Sequence, residues 1–466
     1  VRGKYTAYFA NWIVPISSAP IRDGVVVVEG AKIAYVGSDL TAFARDAGLT
    51  TEDVARDIEI DRTHGIIMPG LVNAHTHLEL TVMRGMLEGL HFREWLRVLT
   101  EARAKVLDAD ALVDSSLFGI REGLLAGITT YADTTASGAP LTAMRTMGVR
   151  GIGYLEVFGP AEGVAGDALT ALESRTNAAR LLDTSLVKTG VSPHAPYTVS
   201  HELFKRVGQF ARENMLPVAV HVAESEAETE MIRYGLGTFA DGLRSRGIRV
   251  KATNASPIQY LETSGILRET RALLIHCIRI DEQDARTIVD TGCTIVHCPI
   301  SNAKLGHGIA PLELMLQAGI KTGLGTDSVA SNNRMDILGE ARVATLLQSI
   351  RRAMPDALSA TDALRLATLG GAEALGMEHA IGTLEVGKQA DITMFGAACL
   401  AGVAAFNVAD FIVHTLAGTT SVKTVLVGGE VRVENGSITS GDEGIAGRAR
   451  LLSEALAGWR QANLGS

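Results

Sequence analysis

Ile66-Ile67-Met68-Pro69-Gly70-Leu71-Val72-Asn73-Ala74-His75-Thr76-His77 is the stretch on which the fold turns. Its first part is apolar without polar alternation, as a strand buried on both faces should be. Its end is polar, with two histidines two residues apart. Working outward, residues 66–72 are the first of eight such apolar runs. The others are 128–132, 151–157, 186–191, 217–222, 272–277, 294–298 and 320–325. Helical stretches lie between them: 200–214 has Ser200 at an N-cap position, and 281–291 opens on Asp281. Eight strand–helix alternations predict an α/β protein with a (β/α)8 TIM-type barrel over residues 65–384. That span exceeds what a barrel needs, and part of the surplus falls between strands five and six, residues 223–271.

The two ends resemble each other more than the middle. Val25–Val28 and Lys32–Val36 flank Glu29-Gly30-Ala31, and Thr424–Val427 and Glu430–Val433 flank Gly428-Gly429. Both read as hairpins, because β-branched strands meet at a tight Gly turn. Residues 391–395 add a short strand. Isolated hairpins are marginal in water, so residues 1–64 and 385–440 are expected to form one small β-sandwich built from both ends. Residues 441–466 are expected to close the chain as a helix, with apolar positions Leu451, Leu452, Leu456 and Trp459.

Composition agrees with a buried core. Of 466 residues, 47% are hydrophobic and 20% charged, which excludes a disordered chain. The formal charge of −9 argues against nucleic acid or an anionic membrane as partner, since both need a basic face. No apolar run approaches membrane-spanning length. Four cysteines (Cys277, Cys293, Cys298 and Cys399) make no disulfide framework in so long a chain. No signal-like segment opens the sequence, so a cytoplasmic location is the expectation, although the sequence begins at Val1 and an upstream segment could have been removed.

In such a barrel the active site lies at the C-terminal ends of the strands, so polar residues there carry most weight. His75 and His77 follow the first run and share one side of an extended chain. His221 follows the fifth run, His276 the sixth and Asp327 the eighth. Buried polar groups need partners, and five such residues at strand ends point to a common ion. Imidazoles with one carboxylate suit Zn²⁺, with Fe²⁺ as the second choice. Glu224, three residues beyond His221, could move protons; on spacing alone it could equally be a solvated acid, since Glu226, Glu228 and Glu230 follow. Cys277 and Cys298 read as packing residues, and His297 and His307 as structural or supporting ones.

These residues lie in an ordered set of motifs. The set comprises Pro69–His77, Ser192-Pro193-His194-Ala195-Pro196-Tyr197, His221-Val222-Ala223-Glu224, His276-Cys277, His297–Gly306 and Gly325–Asn333. Together they resemble the amidohydrolase superfamily, in particular the branch holding adenosine-type deaminases and triazine chlorohydrolases. Residues 382–391 look like the return to its β-sandwich. The resemblance implies that His75, His77, His221 and Asp327 bind one divalent metal. It implies that Asp327 accepts a proton from the attacking water, that His276 polarises that water, and that Glu224 shuttles a proton to the ring and then to the leaving amine. His194 would contact substrate, as would Glu156 and Ser331. Binuclear members usually carry a bridging carboxylated Lys at the end of the fourth strand. Here Lys188 stands too early, which favours one metal.

The expected partner is a small-molecule substrate, and by analogy with the superfamily the chain would be a homodimer. S-adenosylhomocysteine deaminases of this branch are expected to carry two Arg near the third strand. Arg145 and Arg150 are present, but Leu155 or Glu156 stands where a clamp residue is expected, and an acid is a poor carboxylate clamp. Residues 77–80, 92–96 and 154–159 are instead similar to aminodeoxyfutalosine deaminases of menaquinone biosynthesis. The resemblance therefore implies loss of the 6-amino group of 6-amino-6-deoxyfutalosine. The alternatives are S-adenosylhomocysteine, methylthioadenosine or adenosine, another N-heterocycle losing ammonia or chloride, or a barrel that has lost catalysis and serves as a scaffold. Glu101 could reach a ribose hydroxyl or lie on a solvated helix face, and Trp95 could wall the pocket or simply pack.

Overall fold

The protein is described here from a computed structural model covering residues 4–62, 65–396, 398, 407–419, 422–441 and 443–464. Val1 and Cys399 lie outside the described residues. Five strands form in the first part of the chain: β1 (Tyr5–Ile13), β2 (Ile21–Glu29), β3 (Lys32–Gly37), β4 (Ile58–Arg62) and β5 (Ile66–Pro69). β2 and β3 pair antiparallel with Glu29 opposite Lys32, so the turn is the two residues Gly30-Ala31. Gly30 has φ of 55°, which costs a glycine little.

Eight parallel strands follow: β6 (Leu71–Thr76), β7 (Ile128–Thr135), β8 (Arg150–Val157), β9 (Val187–Pro193), β10 (Ala219–Val222), β11 (Leu273–His276), β12 (Thr294–His297) and β13 (Thr322–Leu324). They run in two four-stranded sheets, β6 to β9 and β10 to β13. Parallel bridges Val191↔Val218 and Thr76↔Asp327 join the two halves into a closed barrel. Closure explains the sequence pattern, since strands covered by helices outside and by each other inside have no polar face. The two N-caps hold: Ser200 accepts from the backbone of Leu203, and Asp281 from Gln283 and Asp284. The surplus between strands five and six is mostly helical, including Glu226–Tyr234, Gly237–Arg244 and Pro257–Ser264.

One element differs from expectation. Residues 66–72 read as a single strand, but Gly70 divides them: β5 joins the sheet made by the chain ends, and only β6 enters the barrel. A Cβ at Gly70 would lie 2.1 Å from Thr129 Oγ1, so the crossing from one sheet to the other leaves no room for a side chain. The strand change therefore falls at Gly70, not before Ile66.

The C-terminal part adds β14 (Ile392–Phe395), β15 (Val422–Val427), β16 (Glu430–Glu434) and β17 (Ser437–Ile438). β14 pairs antiparallel with β5, so strands from both ends share one nine-stranded sheet. The Gly428-Gly429 turn has φ of 56° and 79°, as a two-residue hairpin requires. This β domain is fastened to the base of the barrel by a bidentate pair. Arg150 Nε and one terminal guanidinium nitrogen donate to the two oxygens of Asp391 at 2.7 and 2.9 Å. Both side chains are buried, and Gly428 N donates to the same carboxylate at 2.7 Å. The last helix, Ile445–Leu464, packs Leu456 and Trp459 against Phe92–Val106 and its neighbours, while Leu451 faces solvent.

Candidate active site

The barrel brings the strand-end residues to one mouth. His75 lies in β6 and His77 just beyond it; His221 lies in β10, His276 ends β11, and Asp327 follows β13. Strand one is tied to strand eight by Asn73, whose amide donates to Thr326 Oγ1 at 2.8 Å and whose carbonyl accepts from Thr326 N at 3.0 Å. Four non-glycine residues at this mouth have left-handed backbone: Ala223 (φ 52°), His276 (75°), Cys277 (48°) and Asp327 (55°). Each such conformation costs about 1–3 kcal/mol and persists only where the surroundings enforce it, so the packed barrel stores strain where it aims these side chains.

His75 Nε2 lies 3.1 Å and His77 Nε2 3.5 Å from Asp327 Oδ1. The His75 ring centroid is 4.9 Å from those of both His77 and His221. Tetrahedral zinc with ligands near 2.05 Å requires donor–donor edges of about 3.3 Å, so this spacing fits one ion. His221 Nδ1 pairs with the His194 carbonyl at 3.1 Å, which leaves Nε2 directed at the same centre. Asp327 Oδ2 accepts from Ser301 Oγ at 2.5 Å and Ser331 Oγ at 3.0 Å. His276 Nδ1 pairs with Asn302 Oδ1 at 2.9 Å, turning its Nε2 to 3.6 Å from Glu224 Oε1.

Burial sets the protonation states. It lowers His75 to about 4 and His194 to about 3, holds His221 well below the usual histidine range, and lowers His77 and His276. Neutral imidazoles keep the lone pairs that a cation needs. Burial is the largest single influence and opposes charge on Asp327, but its bond with His75 and the field of His75, His276 and His77 together outweigh it and hold the carboxyl well below its usual range. Burial, with the neighbouring charge of Asp327, pushes Glu224 up to about 8, so it carries a proton near neutrality. His75, His77 and Asp327 bring ligand atoms close enough together to hold a divalent metal, and His75 also groups with His221 and His276 in the same way. Lys188 is exposed early in β9 and stays away from the centre.

A cavity of about 470 Å³ opens above these residues. His77, His194, Glu156, Glu224, His276 and Asp327 all line it, and Trp95 both walls it and packs, being 8% exposed. Glu156, at the end of β8, is buried with Oε1 unpartnered, and burial beside Glu79 lifts it to about 8. Ser331 is placed behind Asp327 rather than on the wall; Ser328 lines the pocket instead. Glu101 is on the solvent side of its helix, paired with Arg97 at 2.7 Å, and lines an adjoining cavity. Arg145 and Arg150 both point elsewhere, to Asp183 and Asp391.

Sequence reasoning missed Glu79. Two residues after His77, it lines the pocket, accepts from Thr135 Oγ1 and Arg103 at 2.7 and 2.8 Å, and also bonds Ser137. Its one sequence signal was an acid beside the paired histidines in an otherwise apolar Leu78-Glu79-Leu80. Tyr197 was also missed as a partner of Glu224; its hydroxyl donates to Oε2 at 3.2 Å. The Cys277 and Cys298 thiols are buried and pushed up by burial, as packing residues should be, and Cys293 is free and buried too. Among the described residues no helix is long and apolar enough to cross a membrane.

The chain is similar to several known proteins. The model of the amidohydrolase family matches residues 66–432. The 5-methylthioadenosine/S-adenosylhomocysteine deaminase 1 of Syntrophus aciditrophicus is 30% identical over 94% of this chain and 93% of its own length. An adenosine deaminase from Xanthomonas campestris, solved with bound zinc, superposes with a TM-score of 0.82 at 27% identity, covering 98% of this chain and 99% of that one. The zinc-complexed atrazine chlorohydrolase of Arthrobacter aurescens gives 0.79 at 25% identity, over 96% and 100%. The aminofutalosine deaminase of Helicobacter pylori, in complex with methylthio-coformycin, gives 0.76 at 20% identity over 91% and 99%, a likeness of fold.

Proposed function

Because this chain belongs to the amidohydrolase family, we propose that it is a metal-dependent deaminase that hydrolyses the 6-amino group from an adenine-type nucleoside. The observation that carries this reading is Glu224, a buried carboxyl that burial pushes up to about 8, 3.6 Å from His276 at the edge of a His/Asp centre. In the proposal His75, His77, His221 and Asp327 hold one divalent cation, zinc before iron. Such an ion, when bound, acidifies and orients a water molecule.

The chain's own groups then account for the rest. Asp327 Oδ1 lies among the ligands and is ionised, so it can take the first proton from that water. His276, held through Nδ1 by Asn302, would use its Nε2 to stabilise charge developing on the attacking oxygen. Glu224 delivers its proton to the ring nitrogen beside the attacked carbon. A proton returned through Glu224 to the amine makes ammonia the leaving group, and the ring keeps a carbonyl oxygen. Chloride leaves without being protonated, so only the return of a proton to the leaving group, and not the protonation of the ring, is a role of Glu224 special to deamination.

For the 5′ substituent, relatives similar in sequence include deaminases of 5-methylthioadenosine and S-adenosylhomocysteine. The second reading is 6-amino-6-deoxyfutalosine in menaquinone biosynthesis: Arg145 and Arg150 pair with Asp183 and Asp391 instead of facing the pocket, so the two-Arg clamp expected of S-adenosylhomocysteine deaminases does not form near the third strand. Ammonia release from the zinc-loaded protein, measured with these three nucleosides and adenosine, decides among them. Absence of release from all four would refute deamination of this class.

A further inference from the structure

A second cavity, about 650 Å³, adjoins the first between the helices Phe92–Val106 and Gly237–Arg244. The two cavities share Leu96, Thr100, Tyr197, Thr198 and Arg246 as a common wall, and Tyr197 stacks on Phe239 at 4.3 Å to form the floor between them. The outer cavity is lined by four cations, Arg93, Arg97, Lys105 and Arg246, and one acid, Glu101. Arg97 is already neutralised, bonded to Glu94 and Glu101 at 2.7 Å each. Arg93, Lys105 and Arg246 make no ion pair among the described residues, in a chain whose formal charge is −9. All three are exposed, and cations without an acid partner around one concavity give it a positive field that attracts an anion.

We propose that this outer cavity is a subsite for an anionic group on the 5′ side of the nucleoside, with Arg246 at the neck between the chambers. The proposal rests on the deaminase reading. The adenine ring occupies the inner pocket over the histidines, and the 5′ chain passes Thr100 and Tyr197 to present its terminal anion to Arg246 and Arg93. A guanidinium binds a carboxylate or a phosphate through paired N–H donors, so both anions share this chemistry. The substrate class is therefore a 5′-extended adenine nucleoside with a negative terminus.

The test compares S-adenosylhomocysteine and 6-amino-6-deoxyfutalosine (carboxylates), AMP (phosphate), and the neutral 5-methylthioadenosine and adenosine. Arg246→Ala is expected to raise KM for at least one anionic substrate about tenfold or more, with much smaller change for the neutral pair. Arg246→Lys should restore part of the loss, and Arg93→Ala should act in the same direction. In the unmodified protein, KM for the anionic substrate should rise with salt while that for 5-methylthioadenosine stays level. Dependence on the carboxylates or on AMP identifies the anion. Equal effects of Arg246→Ala on charged and neutral nucleosides, or salt-independent KM for every anion, would overturn the subsite while leaving the deaminase reading intact. No ammonia from any of the five would instead sink the reading beneath it.

Discussion

Replacing Glu224 by Gln isolates proton transfer from everything else the residue does. The residue is 4% exposed and its side-chain volume is filled equally by an amide. Gln can still accept from the Tyr197 hydroxyl, now 3.2 Å from Oε2, and the backbone N–H of residue 224 still donates to Glu228 at 2.8 Å. The four proposed ligands are untouched, so metal content and unfolding midpoint should stay near those of the parent. What is lost is an acid that burial holds at about 8, close to the working pH. General acid–base catalysis contributes about 10²- to 10⁴-fold, which is roughly 3–5 kcal/mol of barrier. The expected result is a fall in kcat of that size, with metal still at about one per chain. Ammonia release under saturating substrate measures the rate, and elemental analysis measures the metal. A fully metallated variant retaining more than about a tenth of parental kcat would refute Glu224 as the proton carrier.

The remaining expectations concern pH, metal and packing. Glu224 must start protonated and its pKa is raised, so kcat/KM should decline on the alkaline side with a midpoint near 8; a rate still rising at about pH 9 would contradict this. His77→Ala should lower bound metal from about one to under about 0.2 per chain and reduce the unfolding midpoint, and full metallation would exclude His77 as a ligand. At Gly325 a Cβ would stand 2.8 Å from His75 N and 2.9 Å from its Cβ. Gly325→Ala should therefore displace His75 and lose metal while circular dichroism stays barrel-like; normal metal content would show that the strand can give way. Arg150→Met leaves the Asp391 carboxylate buried with Gly428 N as its remaining donor. The cost should be about 3–5 kcal/mol in urea unfolding, and a loss below about 1 kcal/mol would mean water reaches the interface.

Much of this protein is legible from residue order. The eight apolar runs announce parallel strands because a strand covered on both faces cannot alternate, and each polar residue that follows such a run is carried to the mouth by the chain's own direction. Thus His75, His77, His221, His276 and Asp327 were expected at one mouth from stretches up to about 250 residues apart, and in the folded chain His75 and Asp327 lie 3.1 Å apart. The two hairpins were legible from Gly30 and from Gly428-Gly429, where a two-residue turn demands positive φ.

Other features depend on neighbours distant in the chain. Gly70 splits a continuous apolar run only because Thr129 stands against it, and nothing in the run itself marks the division. Left-handed backbone at Ala223, His276 and Asp327 is disfavoured by local preference and survives because the closed barrel enforces it. Whether an acid is solvated or buried was equally undetermined: Glu101 lies outside, paired with Arg97, while Glu79, Glu156 and Glu224 line the pocket. Local sequence determines which backbone and which side chains are available, through sterics and periodicity. Burial, and with it the charge state of every group at the centre, comes from the sum of all surrounding atoms, which only the folded chain assembles.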